Sequence, residues 1–297
     1  MMPRPCIGLF AALALITLSA CSPVTALNDM APRSTFREVQ GLAYGRDPRQ
    51  RLDVYMPAGT ATMDNMTSLK PDLDKQARPI IVFFYGGSWQ NGARGNYLFV
   101  GEALASRGFI VVVPDYRTYP QTVFPGFVDD AAAAVRWAHD HAGEFGGDPS
   151  HLFLMGHSAG AQIAALLSTD GHYLAAQHMS KHDLSGFIGL AGPYDFLPLT
   201  DPALEQVFPI SLRQASQPIN FVSGDEPPML LAAGKDDTTV DPGNTDRLAA
   251  KLRAAGDAVQ VNHYPGIGHA LLVGALAAPL RRVAPVLADV SRFIDSH

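Results

Sequence analysis

Residues 151–168 read HLFLMGHSAGAQIAALLS. The apolar run Leu152–Met155 has the length and composition of a strand buried in a sheet. It ends at Gly156-His157-Ser158-Ala159-Gly160, a G-x-S-x-G, and an Ala-rich segment with helical character follows at once. A strand that turns this sharply into a helix strains the residue at the turn and exposes its side chain at the end of the sheet. Side chains two residues to either side would collide, which accounts for glycine at 156 and 160. A serine at the start of a helix can also be a plain N-cap. With a strand before it and a helix after it, Ser158 reads as a nucleophile.

On either side of this unit, strand and helix signals alternate. Strands are expected at 36–44, 51–56, 79–85 (PIIVFFY), 109–113, 151–155, 187–190, 229–233 and 259–264, with helices at 97–107, 128–145, 158–168, 245–255 and 283–294. Such alternation predicts an α/β fold, a mostly parallel sheet with helices on both faces. Residues 57–78 are rich in Pro, Asp and Thr and read as a surface loop. Residues 192–228 interrupt the alternation, and a small lid is expected there, over the carboxyl ends of the strands where ligands bind in such sheets.

Six motifs extend the pattern in order: LDVYMP (52–57), FFYGGSWQNG (83–92), VVPDYR (112–117), FPGFVDDAAAAVRWAHDHAGEFGGDP (124–149), GHSAG (156–160) and GIGH (266–269). From about Leu52 to the C-terminus the chain resembles the α/β-hydrolase family. Within it, the chain is most similar to bacterial carboxylesterases of the hormone-sensitive-lipase, BD-FAE and kynurenine-formamidase type. The resemblance implies an eight-stranded, mostly parallel sheet. It also implies a Ser–acid–His order of catalytic residues along the chain. The family pattern G-x-x-D-x-x-V, met here as Gly234-Lys235-Asp236-Asp237-Thr238-Thr239-Val240, selects Asp237 as the acid. Asp236 is its nearest rival, with Asp195 and Asp241 behind it. His269, in a Gly-rich loop after the last strand, is the expected base, whereas His263 lies in phase with Val259 and Val261 and reads as a packed strand residue.

Acyl transfer builds negative charge on a carbonyl oxygen, and preorganised N–H donors stabilise it. The resemblance assigns those donors to Gly87, Ser88 and Ala159. Tyr85 stands where the family carries a histidine that organises this loop. Asp115-Tyr116-Arg117 reads as structural, through an ion pair or buried hydrogen bonds, and His157 as a variable, non-catalytic position. Trp89, Tyr194, Phe196 and Phe208 could line a substrate pocket or simply pack in the core.

Composition excludes other classes. The chain has 297 residues, with 47% hydrophobic and 17% charged, which argues against disorder over most of its length. A net charge of −6 argues against a nucleic-acid-binding surface. No H-E-x-x-H, Walker loop or G-x-G-x-x-G occurs, so metal, nucleotide and dinucleotide cofactors lack support and none is expected. The two cysteines, Cys6 and Cys21, both lie near the start, which leaves the folded part no disulfide framework.

The first residues read as an address. Arg4 precedes an apolar stretch at 7–20 that is short for a membrane span, the pattern of a signal peptide over residues 1–20. Leu18-Ser19-Ala20-Cys21 resembles the bacterial lipobox, which implies lipidation at Cys21 and a membrane-anchored envelope protein. Ser22 after it resembles outer-membrane sorting in Gram-negative cells. Residues 21–35 are expected to tether a single hydrolase domain at 36–297. The reading is a lipid-anchored serine carboxylesterase that takes small to medium esters through an acyl-serine. An arylformamidase-like amide hydrolase and a non-catalytic envelope binding protein on the same fold are the alternatives.

Overall fold

The computed structural model describes residues 23–59 and 77–297. The expected signal peptide and Cys21 lie outside the described residues, as does most of the loop expected at 57–78. The strands are β1 (Phe36–Ala43), β2 (Arg51–Pro57), β3 (Arg78–Phe84), β4 (Ile110–Pro114), β5 (Gly147–His157), β6 (Gly186–Leu190), β7 (Met229–Gly234) and β8 (Val259–Tyr264). They form one sheet in the order β1-β2-β4-β3-β5-β6-β7-β8. β2 pairs antiparallel with both β1 and β4, and all other neighbours are parallel. The central strands are buried throughout Ile81–Phe84, Ile110–Pro114 and Gly186–Leu190. That is why their sequences read as continuous apolar runs rather than alternating ones.

The helices are α1 (Pro23–Asp29), α2 (Leu98–Ala105), α3 (Gly126–Asp140), α4 (Ala159–Thr169), α5 (His172–Ala175), α6 (Pro202–Val207), α7 (Gly243–Ala255), α8 (His269–Gly274) and α9 (Val286–Asp295). They cover both faces of the sheet. Phe153 of β5 meets Phe293 of α9 edge-on, at 6.3 Å between ring centroids. Gly156 lies on the opposite side of the same strand, since successive residues alternate, and there it abuts the backbone of α4. The helix expected at 128–145 stops at Asp140 and tightens into a 3-10 turn over Ala142–Phe145, closed by Gly146 at φ +77°. The closing helix starts at Val286 rather than 283, because the residue before Pro285 is disfavoured in helical conformation.

The segment expected as a tether is, in its described part, docked. Val24 and Leu27 lie three residues apart on α1, so they share a face and pack against the core. The Asn28 amide donates to the Gly95 carbonyl at 2.7 Å and accepts from the Phe99 N–H at 3.1 Å. Two apolar contacts and a two-way amide therefore hold these residues on the domain. No helix of the described residues is long and apolar enough to cross a membrane.

Between β6 and β7, residues 192–228 carry α6 and 3-10 turns at Ile210–Leu212, Gln214–Ser216 and Pro218–Phe221. This insertion folds back over the loop that follows β3, with Phe196 and Phe208 packed on Trp89.

Candidate active site

Ser158 occupies the turn between β5 and α4 at φ +56°, ψ −125°. A side chain rarely adopts this conformation, and here the surroundings enforce it. The Ser158 N–H is still tied to the Leu190 carbonyl of β6 at 2.9 Å, while its own carbonyl already accepts from Ala161 and Gln162. A Cβ at Gly156 would stand 2.3 Å from the Gly160 carbonyl oxygen, and one at Gly160 would stand 2.1 Å from that of Phe84. Both glycines are thus required by close backbone approach. Ala159 opens the 11-residue α4, so its N–H is one of the unpaired donors at a helix start, where the helix field also favours negative charge.

The loop after β3 passes beside this turn. Gly86 lies so close that a Cβ there would be 2.8 Å from the Ser158 Cβ. Gly87 has φ +140°, and Ser88 and Trp89 follow at +53° and +58°. The Gly87 carbonyl closes the turn by accepting from Gln90 at 3.0 Å and Asn91 at 2.9 Å. Ser88, Trp89, Ser158 and Ala159 line one cleft of about 480 Å³, with Phe196, Leu204 and Val240 on its other walls. Asp195, Asp241 and Arg247 also line it.

Asp237 follows β7 and His269 follows β8, at the carboxyl end of the sheet where Ser158 follows β5. The His269 Nδ1 and Asp237 Oδ2 are 2.7 Å apart, and the Asp237 side chain is fully buried. The other carboxylate oxygen accepts the N–H groups of Thr239 at 2.8 Å and Val240 at 2.9 Å. The carboxylate is therefore held by three hydrogen bonds, and His269 keeps Nε2 as its free ring nitrogen. The rivals separate by burial and partner. Asp236 is exposed, while Asp195 and Asp241 both pair with the Arg247 guanidinium. His263 lies within hydrogen-bonding distance of Asp246 of α7, at 2.8 Å, so it is half-buried beside a carboxylate rather than packed among apolar side chains.

Tyr85 is fully buried, stacked between Tyr97 and Tyr116, and its hydroxyl donates to Asp115 Oδ1 at 2.8 Å. Burial, then the Asp115 carboxylate, push this phenol far above its ordinary range, so it remains a neutral donor. Asp115 also accepts from the Arg94 backbone and guanidinium, and Arg94 reaches Asp53 at 2.7 Å. Arg49 donates to the carbonyls of Gly92 and Tyr116. A partly buried network of charged groups thus braces the loop after β3. Arg117 belongs to a separate pair, its guanidinium forked onto Asp130.

One expectation needs correction. Tyr194 is not part of the cleft. Its ring lies beneath β6, where a Cβ on Gly189 would be 2.0 Å from the phenol oxygen, and it meets Phe187 edge-on. The missing side chain at Gly189 makes the slot that draws it inward. Trp89 and Phe196 do line the cleft, and Phe208 supports Trp89 from behind. His157, expected as a non-catalytic position, ties the elbow to the His269 loop. It is buried, and since a carbonyl can only accept, its Nε2–H donates to the His269 carbonyl at 3.1 Å. Burial, then the neighbouring His269, hold it at about 3, so it stays neutral. Sequence reasoning also passed over Gln162 and Asn244. The available signal for Gln162 was a lone amide inside the apolar run AGAQIAALL.

Comparison with known proteins gives the family and the fold. The BD-FAE family model matches residues 67–252. The chain is 30% identical over 77% of its length to a probable isoprenylcysteine alpha-carbonyl methylesterase of Arabidopsis thaliana, and it covers 50% of that protein. It is 30% identical over 80% of its length to the esterase LipC of Mycobacterium tuberculosis, of which it covers 61%. The chain thus spans about half to three-fifths of these curated relatives. Among solved structures, esterase B of Lactobacillus rhamnosis superposes with a TM-score of 0.76 at 20% identity, covering 92% of this chain and 91% of that one. A truncated carbohydrate esterase from gut microbiota gives 0.71 at 20% identity, covering 89% and 98%. At these identities the structural likeness speaks for the fold.

Proposed function

Because the chain belongs to the BD-FAE family, we propose that it is a serine carboxylesterase acting on small to medium carboxylic esters through an acyl-serine. The observation that carries this reading is the Asp237–His269 pair, with Asp237 buried and held on both oxygens, at the sheet end where Ser158 sits strained. Asp237 fixes the tautomer with the proton on Nδ1, which leaves Nε2 as the base. Ser158 Oγ attacks the ester carbonyl while Nε2 takes its proton. The new oxyanion is met by the N–H groups of Gly87, Ser88 and Ala159. Collapse expels the alkoxide, which leaves as alcohol with the proton from His269. Water then repeats the sequence, releases the acid and restores the Ser158 hydroxyl. The aromatic wall of Trp89 and Phe196 suits an acyl or alcohol group of modest size.

The test is hydrolysis of p-nitrophenyl acetate, butyrate and decanoate by residues 22–297, beside Ser158→Ala. The expected result is turnover in the parent, best on the shorter chains, and a loss of at least ~10³-fold in the variant. Equal rates in both proteins would remove the esterase reading and leave an amidase or a binding protein.

The location follows from the first residues, in the same reading. Lipidation at Cys21 would put the acyl chains two positions before Pro23, where α1 begins, and α1 is docked on the domain. The enzyme would then ride close against an envelope membrane rather than swing on a long tether. Mass spectrometry of the mature N-terminus checks this, and an unmodified N-terminus sinks it.

A further inference from the structure

Gln162 lies one helical turn beyond Ser158 on α4 and is fully buried. Its Oε1 accepts the indole N–H of Trp89 at 2.9 Å, and its Nε2 donates to the Ser216 carbonyl at 2.8 Å. Chemistry settles the orientation of the amide, because an indole N–H only donates and a carbonyl only accepts. One side chain thus joins three elements: the helix of the nucleophile, the loop after β3 and the insertion at 192–228.

The loop needs such a hold. Ser88 and Trp89 both sit at positive φ, a conformation that is strained for a non-glycine residue. The strain persists only while the surroundings over-determine it. The backbone of Trp89 is pinned by the Tyr119 N–H, which donates to its carbonyl at 2.9 Å. Its ring is pinned edge-on by Phe208 and stacked by Phe196, both from the insertion. These ring contacts tolerate sliding, whereas the bond to Gln162 is directional.

We infer that Gln162 is a positioning residue for the oxyanion hole. Through Trp89 it fixes the backbone at Ser88, and through Ser216 it makes that geometry depend on the insertion. The inference rests on the esterase reading above. Replacing Gln162 by an apolar side chain leaves the Trp89 N–H and the Ser216 carbonyl unpaired in a dry interior, and the loop is free to relax out of its strained turn.

The experiment compares the parent, Gln162→Leu, Trp89→Phe and the double variant. Active sites are titrated with a fluorophosphonate, so misfolded protein does not count. The readouts are kcat and KM for p-nitrophenyl butyrate and the inhibition constant of a trifluoromethyl ketone, whose hemiketal oxyanion occupies the hole. Gln162→Leu is expected to lower kcat per active site by about 10–100-fold, less than the ~10²–10³ of deleting a donor outright. KM should change by no more than about threefold, and the ketone should weaken by the same factor as kcat. Trp89→Phe should act in the same direction, and the double variant should lose little more than either single one, because both act through one bond. Unchanged kcat and ketone affinity per active site in Gln162→Leu overturn the inference while leaving the esterase reading intact. A purely structural role would lower the titratable fraction alone. A parent that neither turns over the ester nor is labelled at Ser158 removes both readings together.

Discussion

At the turn between β5 and α4 the backbone holds itself, whereas across the cleft the insertion at 192–228 is held in part by side chains. In the turn, Gly156 and Gly160 let main chain meet main chain, and no side chain intervenes. In the insertion, side chains add restraints, some from distant elements and some from the insertion itself. Asn244 of α7 accepts the N–H groups of Tyr194 at 3.0 Å and Asp195 at 2.9 Å. Gln217 accepts that of Phe196 at 2.7 Å, and Gln162 reaches Ser216. Each part of the turn can therefore fail only as a whole, while the insertion can be loosened one bond at a time. This edge of the sheet combines a tightly packed serine turn with a cleft wall whose restraints can be changed singly.

Three substitutions test that contrast, from the largest expected effect down. Gly160→Ala puts a methyl 2.1 Å from the Phe84 carbonyl oxygen and 2.4 Å from that of Tyr85, and neither backbone can yield. A loss of at least about 3 kcal/mol in urea unfolding is expected, or failure to fold. A variant that melts and turns over like the parent would break the claim that the turn is rigid.

His157→Gln probes the link between the turn and the His269 loop through pH. In the folded chain His157 stays neutral down to about 3, because burial and His269 disfavour its charge. In the unfolded chain it binds a proton below about 6.5. The unfolded state therefore takes up more protons as pH falls, and stability is lost progressively from about 6.5 towards 3, by on the order of a few kcal/mol. Replacing His157 removes this contribution, so the stability gap between parent and variant should narrow between pH 7 and pH 4. A gap that stays constant in urea titrations across that range would contradict a neutral, buried His157.

Asn244→Ala has the smallest expected effect and sharpens the other side. It strips two backbone donors of their acceptor at the entry to the insertion, at a cost of about 1–2 kcal/mol in stability. KM for p-nitrophenyl butyrate should rise a few-fold while kcat holds, since Asn244 lines the cleft but touches none of the reacting groups. A fall in kcat with constant KM would mean that this end of the insertion also sets the oxyanion loop.

How far the molecule could be read in advance varies with the range of the interactions. All eight strands were legible, the central ones most directly, because a strand buried on both faces must be apolar throughout and Ile80–Phe84 or Ile110–Val113 can be little else. Ser158 was legible from two glycines and their flanks, and His269 from its loop after the last strand. Between Asp236 and Asp237, local sequence leaves the choice to a family pattern, and burial makes it physical: one carboxylate faces water and the other is enclosed by three donors. Tyr194 and Gln162 were harder still. Gly189, which leaves room for the Tyr194 ring, stands only a few residues before it in β6, yet local sequence does not say that the chain turns back to pack there. The partners of Gln162 stand 73 and 54 residues away.

From sequence alone came the α/β class, the alternation of elements, the strained serine turn and the expected order of Ser158, Asp237 and His269. The first three depend on sterics and periodicity over a few residues, which a chain carries wherever it goes, while the order of the three residues came with the family resemblance. The tertiary structure decided which carboxylate is buried, which aromatic rings reach the cleft, how Tyr85 is held, and that residues 23–29 dock rather than dangle. Those outcomes depend on which distant groups come within hydrogen-bonding or van der Waals reach, and only the folded chain brings them there.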